Sequence, residues 1–287
     1  MALLNSRIMK MQKSFLQITL AVLLFTCCDK SSPHSPQEGN GTPSGWKLVW
    51  SDEFETDGLP NPSKWDYDVG GHGWGNQELQ HYTARRTENA RVESGKLVIE
   101  ARRENWNGNE YTSARMITKG KGDWTYGRFE IRANLPSGRG TWPAIWMLPT
   151  QWTYGNGSWP DNGEIDIMEH VGYDPGWIHA SVHTNKYYWR INTQKTAKLR
   201  VADAQTAFHV YEMEWSPEKV EVFVDSVKYF SFSNENKGWE VWPFNKDFHL
   251  LLNIAVGGAW GGAQGVDNSI FPQRMEIDYV RVYQKAP

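Results

Sequence analysis

Residues 161–172 read DNGEIDIMEHVG and carry four carboxylates, Asp161, Glu164, Asp166 and Glu169, within nine positions. Ile165 and Ile167 alternate with the acids, and the rhythm then slips by one at Met168 before Glu169 arrives. On a helix, at about 100° per residue, Asp166 and Glu169 would lie about 200° and 140° around from Glu164, which scatters the charge. On a strand, side chains alternate, so Glu164 and Asp166 share a face. Glu169 would point the other way unless one extra residue is accommodated. A β-bulge at Ile167-Met168 does this and returns Glu169 to the face of its partners.

Carboxylates aligned in this way repel one another, and the repulsion raises the proton affinity of at least one of them. A protonated acid beside an ionised one is the pair that cleaves a glycosidic bond: the acid protonates the leaving oxygen while the carboxylate attacks the anomeric carbon. Enzymes that retain the anomeric configuration hold the two groups about 5–5.5 Å apart. Strand rise separates the backbones of the outer glutamates by about 13 Å. Long side chains leaning inward across Asp166, aided by twist and bulge, can close most of that gap.

The surrounding sequence supplies the strands such a site needs. GRFEIRANL places Phe129, Ile131, Ala133 and Leu135 on one face and Arg128, Glu130, Arg132 and Asn134 on the other. ARVESGKLVIEARRE and KVEVFVDSVKYFSF each read as two strands joined by a tight turn, at Ser94-Gly95 and Asp225-Ser226. With HLLLNIAVGG and MEIDYVRVY the set reaches at least ten strands, and the only helical signal is a turn near 202–207. Ten or more strands without βα alternation predict an all-β sandwich or barrel. Near-continuous apolar runs in several strands favour the sandwich.

The chain has 287 residues, 14% of them aromatic, with 16 Trp, and 30 basic residues against 33 acidic give a net charge of −3. This balance lacks the basic excess of a nucleic-acid binder, so no nucleic-acid partner is expected. The glycines of VGGHGWGNQ and AVGGAWGGAQG lack the strand–helix setting of a nucleotide fingerprint and read as turns at a cleft rim. Residues 1–28 read as an export signal, with Arg7, Lys10 and Lys13 preceding the apolar run from Phe15 to Phe25. Residues 29–45, DKSSPHSPQEGNGTPSG, read as a flexible linker. One domain of some 240 residues, 46–285, follows without a second linker or a repeat.

GEIDIMEHVG matches the Glu-x-Asp-x-x-Glu signature of glycoside hydrolase family 16, and its bulged form resembles the laminarinase branch of that family. GHGWGNQELQHYT, GRGTWPAIWMLP and LNIAVGGAWGG also resemble segments of bacterial laminarinases, in the same order. The resemblance runs from Trp46 to Tyr283. It implies a jelly-roll (concanavalin-like) sandwich of two curved antiparallel sheets with the substrate in the concave cleft. It further implies a retaining endo-hydrolase of β-1,3-glucans with side activity on mixed β-1,3/1,4-glucans. Glu164 would be the nucleophile, Glu169 the general acid/base, and Asp166 the residue that hydrogen-bonds the nucleophile. No cofactor or catalytic metal is implied, although a structural calcium is. That ion would use Asp278 with backbone oxygens near Glu53 and Gly95, on the convex side.

The supporting residues divide by position. Trp142 and Trp146, at i and i+4 on a strand, share a face expected to line the cleft, where flat rings stack on sugars. His183 is expected beside the acids, with a structural role as the alternative. His170, next to Glu169 in sequence, should face the other way. Asn76, Glu78 and Arg115 match family positions that bind sugar hydroxyls. Trp124 and Trp260 are balanced between cleft and core, whereas Trp50, Trp65 and Trp215 are assigned to the core.

Two other functional classes are compatible with the residues. One is a non-catalytic β-glucan-binding module on the same sandwich, which would have no use for both glutamates and the bulge. The other is a metal site built from Glu164, Asp166, Glu169 and His183. At the N-terminus, LLFTCCDKSSPHSP resembles a bacterial lipoprotein signal, with lipidation at Cys27 or Cys28; a plain secretory signal is the alternative. The expectation is an exported monomer, anchored to the cell envelope by lipid or released to the periplasm or medium.

Overall fold

The computed structural model describes residues 42–286. The expected export signal, Cys27 and Cys28, and nearly all of the expected linker lie outside these residues. Among the described residues there are 18 strands and a single short 3-10 helix, Trp189–Ile191. The segment 202–207 forms turns, as the sequence suggests.

The strands form two sheets. In the outer sheet the order is 227–233, 219–224, 209–215, 127–134, 273–285, 97–106, 109–113 and 80–82. Strand 46–52 pairs with 273–285 and strand 90–92 with 97–106, so the first and last strands of the domain are hydrogen-bonded neighbours. In the cleft sheet the order is 195–200, 177–183, 164–169, 141–149, 248–256, 115–117 and 66–68, and the short strand 123–124 pairs with 248–256. All pairings are antiparallel except that of 80–82 with 109–113.

The core lies between the sheets, and period-2 alternation selects its members. Phe129, Ile131 and Ala133 of the outer sheet are fully buried, as are Ile145, Met147, Ile165 and Ile178 of the cleft sheet. Strand 248–256 is buried at every position. Its alternate residues Asn253 and Ala255 reach the cleft, while Leu250, Leu252 and Ile254 join the core. A strand covered on both faces needs a near-continuous apolar run, which FHLLLNIAV provides. The turns at Ser94-Gly95 and Asp225-Ser226 have positive φ at both central residues, which suits the right-handed twist of their strands.

Candidate active site

The acidic strand 164–169 runs between strands 177–183 and 141–149, and its bulge is recorded by both ladders. Against the first, Glu164 pairs with His183, Asp166 with Ser181 and Glu169 with His179. Three steps from Asp166 to Glu169 therefore match two on the neighbour. Against the second, Met168 pairs with Ile145 and Asp166 with Trp146, so Ile167 is the residue passed over. Ile165, Ile167 and Met168 are all fully buried in the core. Glu164, Asp166 and Glu169 all line a cleft of about 780 Å³ on the opposite face. Asp161, the fourth acid, stays outside this group: it accepts hydrogen bonds from Asn185 at 2.8 Å and from the Asn156 backbone at 3.1 Å.

Each glutamate has its own indole. Trp159 Nε1 donates to Glu164 Oε2 at 3.0 Å, and Trp142 Nε1 donates to Glu169 Oε1 at 3.0 Å. His183 Nε2 lies 3.3 Å from Asp166 Oδ2 and 3.7 Å from Glu164 Oε1. Burial, chiefly, raises the pKa of all three carboxyl groups to about 8. The charge of Asp166 raises both glutamates further, whereas His183 and the indoles pull them down. The three share protons as one set. Trp159 and His183 oppose the rise at Glu164, and Trp142 with His183 opposes it at Glu169, while a hydrogen bond from Glu164 opposes it at Asp166. A set of buried carboxyl groups tuned in this way can offer both a protonated acid and a carboxylate on one face.

The cleft walls are aromatic. Seven tryptophans line it: Trp74, Trp142, Trp146, Trp152, Trp159, Trp189 and Trp260. Trp142 and Trp146 are on the cleft face, as their spacing predicts, and Trp146 Nε1 donates to Asn253 at 2.7 Å. Trp260 packs edge-on against Trp142 and His179, with centroids 5.5 and 5.0 Å apart. The Arg115 guanidinium sits over the rings of Trp74 and Trp146, at 4.7 and 4.6 Å, and Arg115 pairs with Asp68. Glu78 receives Asn76, Gln80 and Tyr82, at 3.2, 2.7 and 3.3 Å, which fixes Asn76 and Glu78 together at the cleft edge.

Trp124 corrects the sequence reading. It is buried, lies away from the cleft, and packs edge-on against Trp50 and Phe129, with centroids 5.6 and 5.5 Å apart. The reason is register: Trp124 stands opposite Phe248, whose side chain belongs to the core. Trp65 and Trp215 are core residues and Trp50 packs against the core, as expected. His170 is also buried, facing away from the acids, with Nδ1 2.9 Å from the Trp177 carbonyl oxygen and Nε2 3.1 Å from Gln205.

On the far sheet, Asp278 accepts Arg132 at 2.6 Å, and Glu53 accepts Arg281 through both oxygens, at 3.0 and 2.8 Å. Gly95 occupies its hairpin turn with φ 73. Asp278, the side chain expected to hold calcium, and Glu53 are thus each paired with an arginine.

Several cleft residues escape a reading of the sequence. Trp159 and Trp152 belong to the loop before the acidic strand, and Trp189 and Arg190 to the short 3-10 helix that follows His183 in the chain. His179, the register partner of Glu169, carries no periodic signal that separates it from a core histidine. The run SWPDNGE, which puts Trp159 five residues before Glu164, was the one available cue for a shared site.

A two-sheet sandwich with paired, indole-bound carboxyl groups in a tryptophan-walled cleft defines a hydrolase of glycosidic bonds. The chain belongs to glycosyl hydrolases family 16, whose model matches residues 77–281. A beta-glucanase of Rhodothermus marinus is 62% identical over 244 residues, covering 83% of this chain and 85% of that protein. The X-ray structure of the laminarinase from Rhodothermus marinus is similar at 61% identity and a TM-score of 0.84, covering 84% of this chain and 98% of the other. A crystal structure of a non-specific endo-beta-1,3(4)-glucanase of the same family is similar at 47% identity and a TM-score of 0.81, with coverage of 87% and 95%.

Proposed function

We propose that this chain is a retaining endo-hydrolase of β-1,3-glucans that also cuts mixed β-1,3/1,4-glucans more slowly. The observation that carries the reading is the bulge, which turns Glu164 and Glu169 to one face of one strand inside the aromatic cleft. The names of the similar proteins supply the linkage.

In this reading the glucan lies along the cleft with its sugar faces against tryptophan rings. Glu169, protonated because it is buried beside Asp166, gives its proton to the leaving glycosidic oxygen. Glu164, held as a carboxylate by Trp159 and His183, attacks the anomeric carbon and forms a covalent glycosyl-enzyme. Glu169, now ionised, takes a proton from water, which displaces Glu164 with net retention. Asp166 stands between the two on the strand and is hydrogen-bonded to Glu164, which orders the nucleophile before attack and after its release. Asn76, Glu78 and Arg115 are assigned to sugar hydroxyls, and Trp142, Trp146, Trp260 and His183 to sugar rings or their orientation.

The enzyme is proposed to work as a monomer, exported and tethered through Cys27 or Cys28. Fractionation of cells producing the wild type and a Cys27→Ser/Cys28→Ser variant tests the tether, which predicts a shift from membrane to soluble fractions.

The deciding experiment is product analysis on laminarin, lichenan, agarose and xyloglucan side by side, with early anomer detection by NMR. Laminarin should be cut internally, with β-anomers first. Initial α-anomers would refute the double displacement, and activity confined to agarose would refute the substrate. Glu164→Gln and Glu169→Gln separate the roles: both should lose at least about 100-fold on laminarin. Only Glu169→Gln should recover on substrates whose leaving group needs no proton.

A further inference from the structure

We propose that Glu164, Asp166 and His183 also form a binding site for a borderline divalent cation, with zinc as the representative ion, and that its occupation blocks the nucleophile. The inhibitory half rests on the hydrolase reading above; the binding half does not.

The geometry is that of an open metal face. Glu164, Asp166 and His183 each offer one ligand atom, and these three atoms lie within 4.8 Å of one another. Zinc binds nitrogen and carboxylate oxygen at about 2.0–2.2 Å, so tetrahedral ligand atoms stand about 3.4 Å apart. His183 Nε2 is 3.3 Å from Asp166 Oδ2 and 3.7 Å from Glu164 Oε1, on either side of that value. All three residues line the cleft, so water would complete the shell.

A second observation points to a ligand. Asp166 is 2% exposed, and its Oδ2, directed at His183, has no hydrogen-bond partner of good geometry. A buried carboxylate oxygen without a donor is costly, and a cation satisfies it more fully than a single weak contact. Two carboxylates and one imidazole select for the ion as well. The nitrogen ligand favours zinc over magnesium or calcium, which prefer shells of oxygen alone.

The same geometry limits the affinity. His183 Nδ1 is buried and has no partner, so no acceptor orients the ring or increases its basicity. The site should therefore exchange zinc readily, as an inhibitory site must. Glucan and zinc then exclude each other, because both need the Glu164 oxygens.

Calorimetric titration of the purified protein with zinc chloride, with magnesium chloride as control, tests the binding. His209, which lies between Asp203 and Asp225 on the outer sheet, is the rival zinc ligand, at 3.2 and 2.6 Å. Expected is one zinc per chain, weakened at least tenfold by His183→Gln and by Asp166→Asn and unchanged by His209→Gln, with melting curves reporting that each variant folds. A laminari-oligosaccharide should weaken zinc binding, and zinc should raise KM for laminarin while leaving kcat unchanged. The site is refuted by full-strength binding in either folded cleft variant, by loss of binding in His209→Gln, or by equal binding of magnesium. Absence of laminarin hydrolysis in zinc-free buffer would refute the hydrolase reading instead and leave the titration standing.

Discussion

Trp142 reaches Glu169 diagonally: the register partner of Glu169 is Ala144, yet the Trp142 indole donates to Glu169 Oε1 at 3.0 Å. A donor on a carboxylate favours its ionised form, so this contact opposes the burial and the Asp166 charge that keep Glu169 protonated. Trp142→Phe preserves most of the ring and deletes the donor. The alkaline limb of the kcat/KM profile should move upward by about one pH unit, the equivalent of a charge-assisted hydrogen bond of about 1.5 kcal/mol. An unmoved limb would detach the indole from the acid's chemistry.

The stability of the fold should fall as the cluster ionises. Asp166 has its pKa raised by burial from 3.8 to about 8 in the folded chain. A group raised on folding stabilises fully below its unfolded pKa, and that stabilisation is lost as pH rises through the folded value. Asp166→Asn removes the titration. The variant should match the wild type near pH 4 and exceed it near pH 8 by about 1–3 kcal/mol, or about 2–4 °C of Tm per kcal/mol. Melting curves at the two pH values check the sign, and a variant less stable at pH 8 would contradict it.

The bulge can be removed or doubled. Deleting Ile167 leaves EIDMEH, a regular strand in which all three acids still face the cleft. Turnover should fall but survive, since a misplacement of about 1 Å costs roughly 100-fold. Inserting an alanine between Met168 and Glu169 turns Glu169 toward the core and should abolish activity. A folded deletion variant as inactive as the insertion would overturn the account of the slip.

Trp124 and Trp260 should separate stability from binding. Trp124→Ala opens a cavity beside Trp50 and Phe129 and should cost about 3–5 kcal/mol, with KM little changed at temperatures where the variant is folded. Trp260→Ala should raise KM severalfold with little change in Tm, because its ring lines the cleft. Paired Tm and KM measurements would expose a reversed assignment.

Calcium on the far sheet would have to draw Asp278 away from Arg132. If the ion belongs to the folded state, calcium should raise Tm by mass action and thorough chelation should lower it. Arg132→Ala frees Asp278 and should strengthen the response. Equal melting curves with and without chelator would exclude the ion.

Much of the molecule was legible in one dimension because strands impose a period of two. The core faces of strands 127–134 and 248–256, and the turns at Ser94-Gly95 and Asp225-Ser226, follow from alternation and turn chemistry. The slip at Met168 was legible for the same reason, since three acids fit one face only with an extra residue. Register was not legible. Whether the passed-over residue is Ile167 depends on strand 141–149, to which it is joined only by folding. Trp124 stayed undecided between cleft and core on the same account, because its direction is set by Phe248, more than a hundred residues away.

The sequence by itself determined the all-β class, the alignment of Glu164, Asp166 and Glu169 and the chemistry such a set can perform, because these depend on side-chain type and local period. The tertiary structure alone decided what surrounds each acid. Trp159 and Trp142 reach the two glutamates from a loop and a neighbouring strand, and His183 stands beside Glu164 and Asp166 through cross-strand pairing. Burial and hydrogen bonding set the proton affinities, and both are properties of the packed sheets, which bring residues together through register and loop closure.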